Sequence, residues 1–362
     1  MIIAITVTFF FLILRFTVTL FNFISNPKLP RIGTRQHDLV SILIPARNEE
    51  KNILDLLQSI TAQEYEDYEV IILDDGSTDG TYQLCANYAA THHKFKVIKG
   101  AELPDGWLGK NYACHQLAKH ARGRYLLFLD ADETIEHGLI NSAVHRMQLR
   151  RLALLSLFTN QQMLTFGENL VVPLMHLLLL NLLPIRLIYL AKHYAVAAAS
   201  GQFMFFDAEV YHKEQWHQAV RDKVVEDVEV MKKVKAGRYR GESLLANGMI
   251  YCRMYTGFFE ALNGFSKNFL AIFNYSVLGF LTYIIIVIGG PLLIITTLNL
   301  PLIFFMVGLI VLTRIMVSLS AGQNAWLNVL LHPLQMISLT CIAFLAIQQY
   351  LTRTTTWKGR KV

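Results

Sequence analysis

Two apolar stretches of this chain end in closely spaced aspartates. The sequence VIILDDGSTDG occupies residues 70–80, and YLLFLDADE occupies residues 125–133. Each begins as a run typical of a buried β-strand and then changes abruptly to acidic and turn-forming residues. When parallel strands of one sheet end in this way, their acids lie along the same edge. The pattern therefore predicts a sheet with a cluster of carboxylates at the ends of its strands.

The region from residue 39 to about 160 alternates between strand and helix patterns. Strands are predicted over 39–46, 68–75, 94–100 and 124–130. Helical periodicity separates them, which implies right-handed βαβ units around a parallel sheet. Ligands of such sheets bind at the carboxyl ends of the strands. The acids that fall at those ends are Asp74, Asp75, Asp130 and Asp132.

The composition points to membrane segments, because 53 % of the residues are hydrophobic and the mean hydropathy is +0.37. Residues 1–24 suffice to cross a bilayer, which needs about 20 apolar residues. We predict a retained membrane anchor there, although Arg15 interrupts it. A cleaved signal peptide is the alternative, but a charged first region and a small-residue cleavage site are missing. Further apolar segments that predict C-terminal transmembrane helices are 269–297, 300–320 and 327–351, followed by a basic tail at 352–362.

The charge distribution argues against a nucleic-acid partner. The formal net charge is +6, but no basic run is interleaved with aromatic residues. Basic residues after the first anchor (Lys28, Arg31 and Arg35) instead predict a cytosolic catalytic domain in a multi-pass protein of the cell membrane. Three C-terminal crossings would place the basic tail outside, against the same rule. We therefore expect two full crossings and a cytosolic tail. The cysteines 85, 114, 252 and 341 form no C-x-x-C pair, which disfavours a disulfide framework or a zinc site.

The segment 170–200 is also apolar, and Pro173 and Pro184 interrupt it. A transmembrane crossing here would place Asp132 and Asp227 on opposite sides of the membrane, about 30 Å of hydrocarbon apart. We predict instead an interfacial or re-entrant segment that passes a lipid into the cleft. Its basic residues Arg186, Lys192 and His193 are then candidates for contact with lipid headgroups. Ordinary protein core is the alternative.

Asp130 and Asp132 are the strongest candidates for a functional site. They are two residues apart just beyond a buried strand, and hard cations such as Mg²⁺ take carboxylate ligands together with substrate phosphates. Asp75 follows another strand and precedes Gly76, so it can accept hydrogen bonds from a nucleobase or ribose. The alternative for this second group is helix capping, which we assign chiefly to Ser77 or Asp79.

Two further positions gain weight from their context. Lys110 opens a helix after a glycine-containing loop, where a basic side chain is a plausible diphosphate partner. Glu226 and Asp227 come at the start of a helix with basic residues on its polar face. Asp227 is either a general base or simply an acid favoured by the positive end of the helix dipole.

Five motifs in one order carry a family resemblance: SILIPARNEE, VIILDDGSTDGT, GWLGKNYACHQLA, LFLDADE and VVEDVEVMKKVKAG. Over residues 38–268 the chain resembles a family 2 glycosyltransferase of the GT-A fold, the Rossmann-like fold of nucleotide-diphospho-sugar transferases. Within that family it is similar to the membrane-anchored branch that includes carotenoid glycosyltransferases, related to 4,4'-diaponeurosporenoate glycosyltransferase, and hopanoid-associated relatives. The resemblance implies an α/β fold with transmembrane helices and inverting transfer from a nucleotide sugar, usually UDP-activated, with Mg²⁺ or Mn²⁺.

The resemblance also implies roles for individual residues. It assigns Pro45, Ala46, Arg47 and Glu49 to the first nucleotide-binding loop. Asp75 falls at the base or ribose site, and Lys110 at the basic position that faces the nucleotide. Asp130 and Asp132 become the metal-binding pair, with Asp130 also on the donor side, and Asp227 becomes the catalytic base.

Two departures concern the acceptor side. Processive synthases carry Gln-x-x-Arg-Trp after the base, whereas this chain has only CRMY, with Arg253 in that region. The Gly-Gly-His that often precedes Glu-Asp is EQWHQ here, which retains His217 but not the glycines. Glu226, His217 and Arg253 are therefore the acceptor-side candidates. The expected function is non-processive transfer of one sugar to a membrane lipid. A processive polysaccharide synthase and a catalytically silent membrane scaffold are the alternatives.

Overall fold

The computed structural model describes residues 1–352, 356–357 and 360–361. The strands are β1 (Val40–Ala46), β2 (Tyr68–Asp74), β3 (Phe95–Lys99), β4 (Tyr125–Leu129), β5 (Glu133–Ile135), β6 (Leu154–Phe158), β7 (Asn160–Gln161), β8 (Phe203–Asp207), β9 (Gly241–Leu245), β10 (Ile250–Cys252), β11 (Thr356–Trp357) and β12 (Arg360–Lys361). The helices are α1 (Ile2–Ser25), α2 (Ile53–Thr61), α3 (Thr81–Thr91), α4 (Gly109–His120), α5 (Leu139–Arg150), α6 (Phe166–Val171), α7 (Pro173–Leu182), α8 (Arg186–Leu190), α9 (Ala208–Glu214), α10 (Trp216–Ala219), α11 (Glu226–Ala236), α12 (Phe258–Ile272), α13 (Val277–Ile284), α14 (Gly290–Thr296), α15 (Leu300–Ala321), α16 (Ala325–Leu330) and α17 (His332–Thr352). A π-helical turn at Ile285–Gly289 joins α13 to α14.

The central sheet has seven strands in the order β3-β2-β1-β4-β8-β6-β9. The four strands predicted from the sequence are β1 to β4, with boundaries within about one residue of those predicted, well inside the usual uncertainty of element ends. They are parallel to one another, because α2, α3 and α4 each return the chain to the opposite edge. The predicted α/β class is confirmed.

Strand β8 runs antiparallel to both of its neighbours, β4 and β6. The chain leaves β6 at the carboxyl edge of the sheet, makes the long excursion through α6, α7 and α8, and re-enters at the same edge. No helix carries it back across the sheet, so β8 must run in the reverse direction. This reversal places residues 200–202, just before β8, beside the acids that follow β4.

Alternate side chains of each strand point to opposite faces of the sheet and belong to two hydrophobic layers, one on each face. Ile42 and Ile44 of β1 belong to one layer, with α2 and α5, while Leu43 belongs to the other, with α4. The second layer continues without a break into α7, α12, α13 and α17. The sheet and the apolar helices therefore share one core, which fixes the α/β domain against the helices.

Four described helices are long and apolar enough to cross a membrane: Ile2–Ser25, Val277–Thr296, Leu300–Ala321 and His332–Thr352. The first of the three C-terminal helices begins at Val277 rather than at 269, because Asn274 and Tyr275 adopt left-handed backbone conformations with φ of 52° and 60°. The number of crossings and the side on which the tail lies stay predictions. The basic tail at 352–362 lies largely outside the described residues.

The segment predicted to be interfacial leaves the domain and returns to it. The strands before and after it, β6 and β8, are hydrogen-bonded neighbours in the sheet. Near its middle it is hydrogen-bonded to helix α1, since the Asn22 amide donates to the carbonyl oxygens of Leu180 and Leu183 at 2.9 and 2.8 Å. Arg186 donates to the carbonyl oxygen of Ser25, so this side chain caps α1. Its position in the membrane stays a prediction.

Candidate active site

The loops after β1 and β2 meet at the carboxyl edge of the sheet. Ala46 pairs with Asp74 in the parallel register, which brings Arg47 beside Asp75. A guanidinium nitrogen of Arg47 (Nη1) donates to the carbonyl oxygen of Asp75 and lies 3.9 Å from its Oδ2. Asp75 is buried, at 6 % exposure. Gly76 follows with φ of 69°, a left-handed conformation that glycine adopts without strain.

The Ser-Thr-Asp cluster after Asp75 holds these two loops together. The N–H of Asn48 donates to Ser77 Oγ at 3.1 Å, and the N–H of Glu50 donates to Asp79 Oδ2 at 3.2 Å. Asp79 Oδ1 also accepts from the N–H of Thr81, the first residue of α3, at 3.1 Å. Asp79 therefore accepts a hydrogen bond from the first turn of α3, as expected of a capping residue. Asp75 instead lines the cleft.

Lys110 lies at the centre of the site. Its ammonium nitrogen (Nζ) is 2.7 Å from Oδ1 of Asp130 and 3.3 Å from Oε1 of Glu226, and it donates to the carbonyl oxygen of Gly201 at 3.3 Å. Burial alone would lower the pKa of Lys110, but the two carboxylates outweigh it and raise that pKa well above its ordinary value. Lys110 stays charged and joins three separate parts of the chain.

Asp227 is the second residue of α11 and is fixed by two main-chain donors. Its Oδ2 accepts from the N–H of Gly201 at 2.8 Å, and its Oδ1 from the N–H of Val228 at 2.7 Å. Burial, followed by the charge of Glu226, raises the pKa of Asp227 to about 7. A carboxyl group with that pKa can take up a proton near neutral pH. The hydrogen bond to Val228 shows that Asp227 also serves the helix N-terminus.

A second acidic group adjoins Asp130. Oxygen and sulfur atoms of Asp132, Glu133 and Cys252 lie within 4.8 Å of one another. A second sheet of three strands, in the order β5-β10-β7, accounts for this, because Cys252 on β10 pairs with Glu133 on β5. Burial, with the charges of Asp130 and Glu49, raises the pKa of Asp132 to about 6. Burial and Asp132 raise the pKa of Glu133 well above its ordinary value.

This acidic group fits a divalent cation. Both carboxylate oxygens of Glu133 are buried and accept no hydrogen bond among the described residues. Buried carboxylates crowded in this way are destabilised as anions, and a bound cation removes that penalty. Asp132 and Glu133 supply hard oxygen ligands. Burial and the nearby carboxylates raise the pKa of the Cys252 thiol well above its ordinary value, so this group stays protonated and donates to Asp132 Oδ2 at 3.6 Å.

One cleft with about 120 Å³ of free space connects these features. Its lining includes all seven residues predicted to bind a donor, together with Asp132: Pro45, Ala46, Arg47, Glu49, Asp75, Lys110, Asp130 and Asp132. Asp227 and Glu226 join the cleft through Lys110 and Gly201. Residues from five parts of the sequence thus converge on one end of the sheet.

Two acceptor-side candidates lie away from the open cleft. His217 is 2 % exposed, contacts the Tyr211 hydroxyl at 2.7 Å and packs against Phe128. Burial lowers the pKa of His217 to about 3, so this ring is neutral. Arg253 donates to Glu168 at 2.9 Å, and Glu168 caps α6. Both side chains have structural partners in this arrangement.

Gly201 is a site residue that the sequence reasoning missed. A Cβ added at this position would lie 3.0 Å from Glu226 Oε1 and 3.1 Å from Lys110 Nζ. Only glycine allows the backbone to approach these side chains so closely. One feature of the sequence could have indicated this residue. Ser200 and Gly201 stand just before the apolar strand β8, at the edge of the sheet where the acids lie.

The match to known families agrees with this geometry. Residues 41–215 match the family model described as glycosyl transferase family 2. The chain contains a glycosyl transferase family 2 domain. A curated relative, 4,4'-diaponeurosporenoate glycosyltransferase of Staphylococcus aureus, is 39 % identical over 116 residues. The match covers 32 % of this chain and only 29 % of the relative.

A solved structure shares the fold over nearly the whole chain. It is a mannosyltransferase from Pyrobaculum calidifontis in complex with GDP-Man and Mn²⁺, with a TM-score of 0.57 and 15 % identity. The match covers 97 % of this chain and 100 % of that one. At this identity the likeness is one of fold, and it confirms the predicted GT-A architecture with additional apolar helices.

Proposed function

We propose that this protein is an inverting, non-processive glycosyltransferase that moves one sugar from a nucleotide sugar to a membrane lipid. The observation that carries the proposal is the convergence of Asp75, Asp130, Asp132 and Asp227 around one cleft, with Lys110 at its centre. Acids with raised pKa values that face one cleft, as Asp132 and Asp227 do here, are typical of functional sites.

The donor is a sugar attached to a nucleoside diphosphate. Asp75, oriented by Arg47, accepts hydrogen bonds from the base or ribose, as the sequence predicts. Lys110 is poised next to the position of the diphosphate, because it reaches the same cleft from the N-terminus of α4. We favour UDP as the nucleotide from the family resemblance, and the GDP-Man complex of the fold relative makes GDP the alternative to test.

Asp130 and Asp132, with Glu133 beside Asp132, would hold the divalent cation, and Asp130 also forms an ion pair with Lys110 at 2.7 Å. When bound, Mg²⁺ or Mn²⁺ would supply positive charge that offsets the negative charge of a departing diphosphate. Lys110 supplies a second positive charge on the same side. Carboxylate oxygens suit Mg²⁺ and Mn²⁺ alike, so both ions are candidates.

Asp227 takes the proton of an attacking acceptor hydroxyl. The acceptor oxygen then bonds to the anomeric carbon, the bond from that carbon to the diphosphate breaks, and the nucleoside diphosphate leaves with the electron pair. Attack from the face opposite the leaving group inverts the anomeric centre. The two main-chain N–H donors that fix Asp227 keep it aimed and leave oxygen lone pairs available.

The apolar helices support a lipidic acceptor. The domain that contains the cleft packs against α7, α12 and α17 through one continuous hydrophobic core, which keeps the cleft close to the candidate membrane-spanning helices. The name of the curated relative makes a carotenoid one candidate, and a hopanoid or glycolipid fits the same chemistry. Nucleotide sugars are cytosolic, and we place the domain on that side of the cell membrane.

The first experiment is release of the nucleoside diphosphate. Purified protein should release UDP or GDP from one nucleotide sugar when Mn²⁺ or Mg²⁺ is present, and EDTA should stop the reaction. A scaffold without catalytic activity would release neither nucleotide from any donor. A processive synthase would release many equivalents per acceptor and build a polymer visible by mass spectrometry.

A further inference from the structure

Two arginines are buried among the apolar helices, remote in sequence from the cleft residues. Arg15 of α1 is 8 % exposed and Arg314 of α15 is 1 % exposed. Together with His332 at the start of α17 they line a small cavity that also contacts α7 and the π-helical turn. Ionised side chains in such surroundings are rare unless a partner balances them.

No carboxylate in these helices can balance the two charges. The first acidic residue of the chain is Asp38 and the last is Glu260, so α1 and all helices after α12 lack acids entirely. Helix α7 also contains none. Among the described residues neither arginine takes part in an ion pair within 4.0 Å, whereas arginines of the α/β domain do, such as Arg146 with Glu242.

Neutral hydrogen-bond acceptors bind two of the three guanidinium nitrogens of Arg314 but not the third. Its Nη2 donates to Gln335 and its Nε to the Asn328 carbonyl oxygen at 3.4 Å. The remaining Nη1 is buried and has no hydrogen-bond partner in the described part of the chain. The same holds for Nε of Arg15 and Nδ1 of His332. Three nitrogen atoms around one cavity thus lack partners, and the two on the arginines can only donate.

Aromatic rings offset only part of the charge of Arg15. Its guanidinium carbon lies 5.9 Å from the ring centre of Phe11 and 5.8 Å from that of Tyr283. A cation–π contact contributes on the order of 1–2 kcal/mol, less than the cost of burying an unpaired ion. Two arginines facing one space also repel each other. The pair therefore calls for a negatively charged group between them.

We propose that this cavity binds the oxyanion head of an acidic amphiphile, and its size favours a carboxylate. Its free space is about 20 Å³, enough for one or two oxygen-sized groups. The rest of the lining is apolar, including Leu12, Val287, Leu309 and Ile310. An acidic head between the arginines would answer their charge, and a hydrocarbon chain leaving the cavity would contact the apolar side chains that line it. A free inorganic anion would gain nothing from that apolar lining.

The site is distinct from the cleft and does not depend on the proposed transfer reaction. Arg15 is ten residues from the end of α1 at Ser25, and Arg314 is seven residues before the end of α15 at Ala321, which corresponds to about 15 Å and 10 Å along the helices. Both of those helix ends contact the α/β domain, through Arg186 with Ser25 and Asn160 with Ala321. The bound lipid would therefore join the anchor helix to α15 directly beneath the domain.

Lipid binding can be measured without any sugar donor. Wild-type protein purified in a non-ionic detergent is analysed by native mass spectrometry and then titrated with oleate, phosphatidic acid or inorganic phosphate while thermal unfolding is followed. We expect a retained acidic lipid or saturable binding of at least one acidic lipid with a rise in Tm. Inorganic phosphate at the same concentration should have no effect.

The matched variants are Arg15→Met and Arg35→Gln, the second of which removes an exposed arginine. Arg15→Met should weaken binding of the acidic lipid about tenfold or more, as expected for loss of a charged hydrogen-bond donor, and Arg35→Gln should leave it unchanged. Equal binding by wild type and Arg15→Met overturns the proposal. So does a wild-type protein that binds no acidic lipid, a result that stands even if Arg15→Met is not recovered. An equal response to inorganic phosphate would overturn the assignment to an amphiphile.

Discussion

The main-chain N–H of Gly201 donates to Oδ2 of Asp227 at 2.8 Å, although the two residues belong to different elements of the domain. The carbonyl oxygen of the same glycine accepts from Lys110 at 3.3 Å. One residue without a side chain thus sets the distance between the basic and acidic sides of the site.

This relationship predicts that Gly201→Ala reduces activity by about tenfold or more. The added Cβ would lie about 3 Å from both Glu226 and Lys110, so these side chains must move, and small displacements of catalytic groups are costly. Gly33→Ala is the control, because nothing lies within 4 Å of a Cβ there. Initial rates of nucleoside diphosphate release, with circular dichroism to check folding, provide the measurement. Full activity in Gly201→Ala would show that the close contact is unimportant.

The metal-binding acids make the second prediction. Asp132→Ala should abolish transfer and Mn²⁺ binding, because a stranded Glu133 cannot hold the cation in the geometry that two carboxylates provide. Asp130→Ala should nearly abolish transfer, because this substitution also removes the ion pair that holds Lys110. Asp105→Ala, in an exposed loop, is the control. Electron paramagnetic resonance reports Mn²⁺ binding independently of turnover. Normal Mn²⁺ affinity in Asp132→Ala would rule out this assignment.

The pKa of Asp227 predicts the acidic limb of the pH profile. Burial raises this pKa to about 7, so Asp227 is increasingly protonated below pH 7 and cannot accept a proton there. Activity toward a hydroxyl acceptor should therefore rise with pH and level off above about 7. The turnover number of Asp227→Asn should fall by roughly a hundredfold or more with donor binding intact, and its acidic limb should disappear. Asp222→Asn, exposed in the preceding loop, is the control.

The same variant distinguishes two kinds of acceptor. A carboxylic acid is already ionised near neutral pH and needs no base, so Asp227→Asn should then cost little. The Glu-Asp pair at the start of α11 leads us to expect a lipid hydroxyl. Esterification of a carotenoid acid at the full rate by Asp227→Asn would show that the acceptor is a carboxylate and that Asp227 mainly holds the helix N-terminus.

The excursion between β6 and β8 predicts a labelling pattern. Cysteines introduced at the exposed positions Leu164 and Glu209, in a Cys341→Ser background, should react with an impermeant maleimide from the same side of sealed vesicles. The reason is that β6 and β8 pair in one sheet, so both flanks belong to one domain. Labelling from opposite sides would show that 170–200 crosses the membrane.

Local patterns in the sequence were enough to predict much of the fold. Strands β1, β2 and β4 were predictable because largely apolar runs give way to charged residues, and β3 because apolar residues alternate with lysines before Gly100. The helices between them have clear periodicity. The antiparallel β8 was not, because its direction follows from where the excursion before it returns to the sheet. The start of α13 was missed for a similar reason, since the left-handed residues Asn274 and Tyr275 are not glycines.

The cleft residues that stand in recognisable motifs were predictable from the sequence, and the other site residues were not. Arg47, Lys110 and the acids stand in recognisable contexts, and the structure brings them together. Gly201 and the approach of Cys252 to Asp132 depend on strand pairing between distant segments, which no local pattern reveals. His217 shows the converse, because a histidine in a motif-like position lies in an aromatic core.

The most direct test of the central claim follows the sugar itself. Purified protein is incubated with a radiolabelled nucleotide sugar, Mn²⁺ and a lipid extract, and the organic phase is analysed by chromatography and mass spectrometry. We predict a lipid that carries a single sugar with inverted anomeric configuration, formed by wild type and Asp105→Ala but not by Asp132→Ala. Absence of labelled lipid with every UDP- and GDP-sugar, or a retained anomeric configuration, would contradict the account.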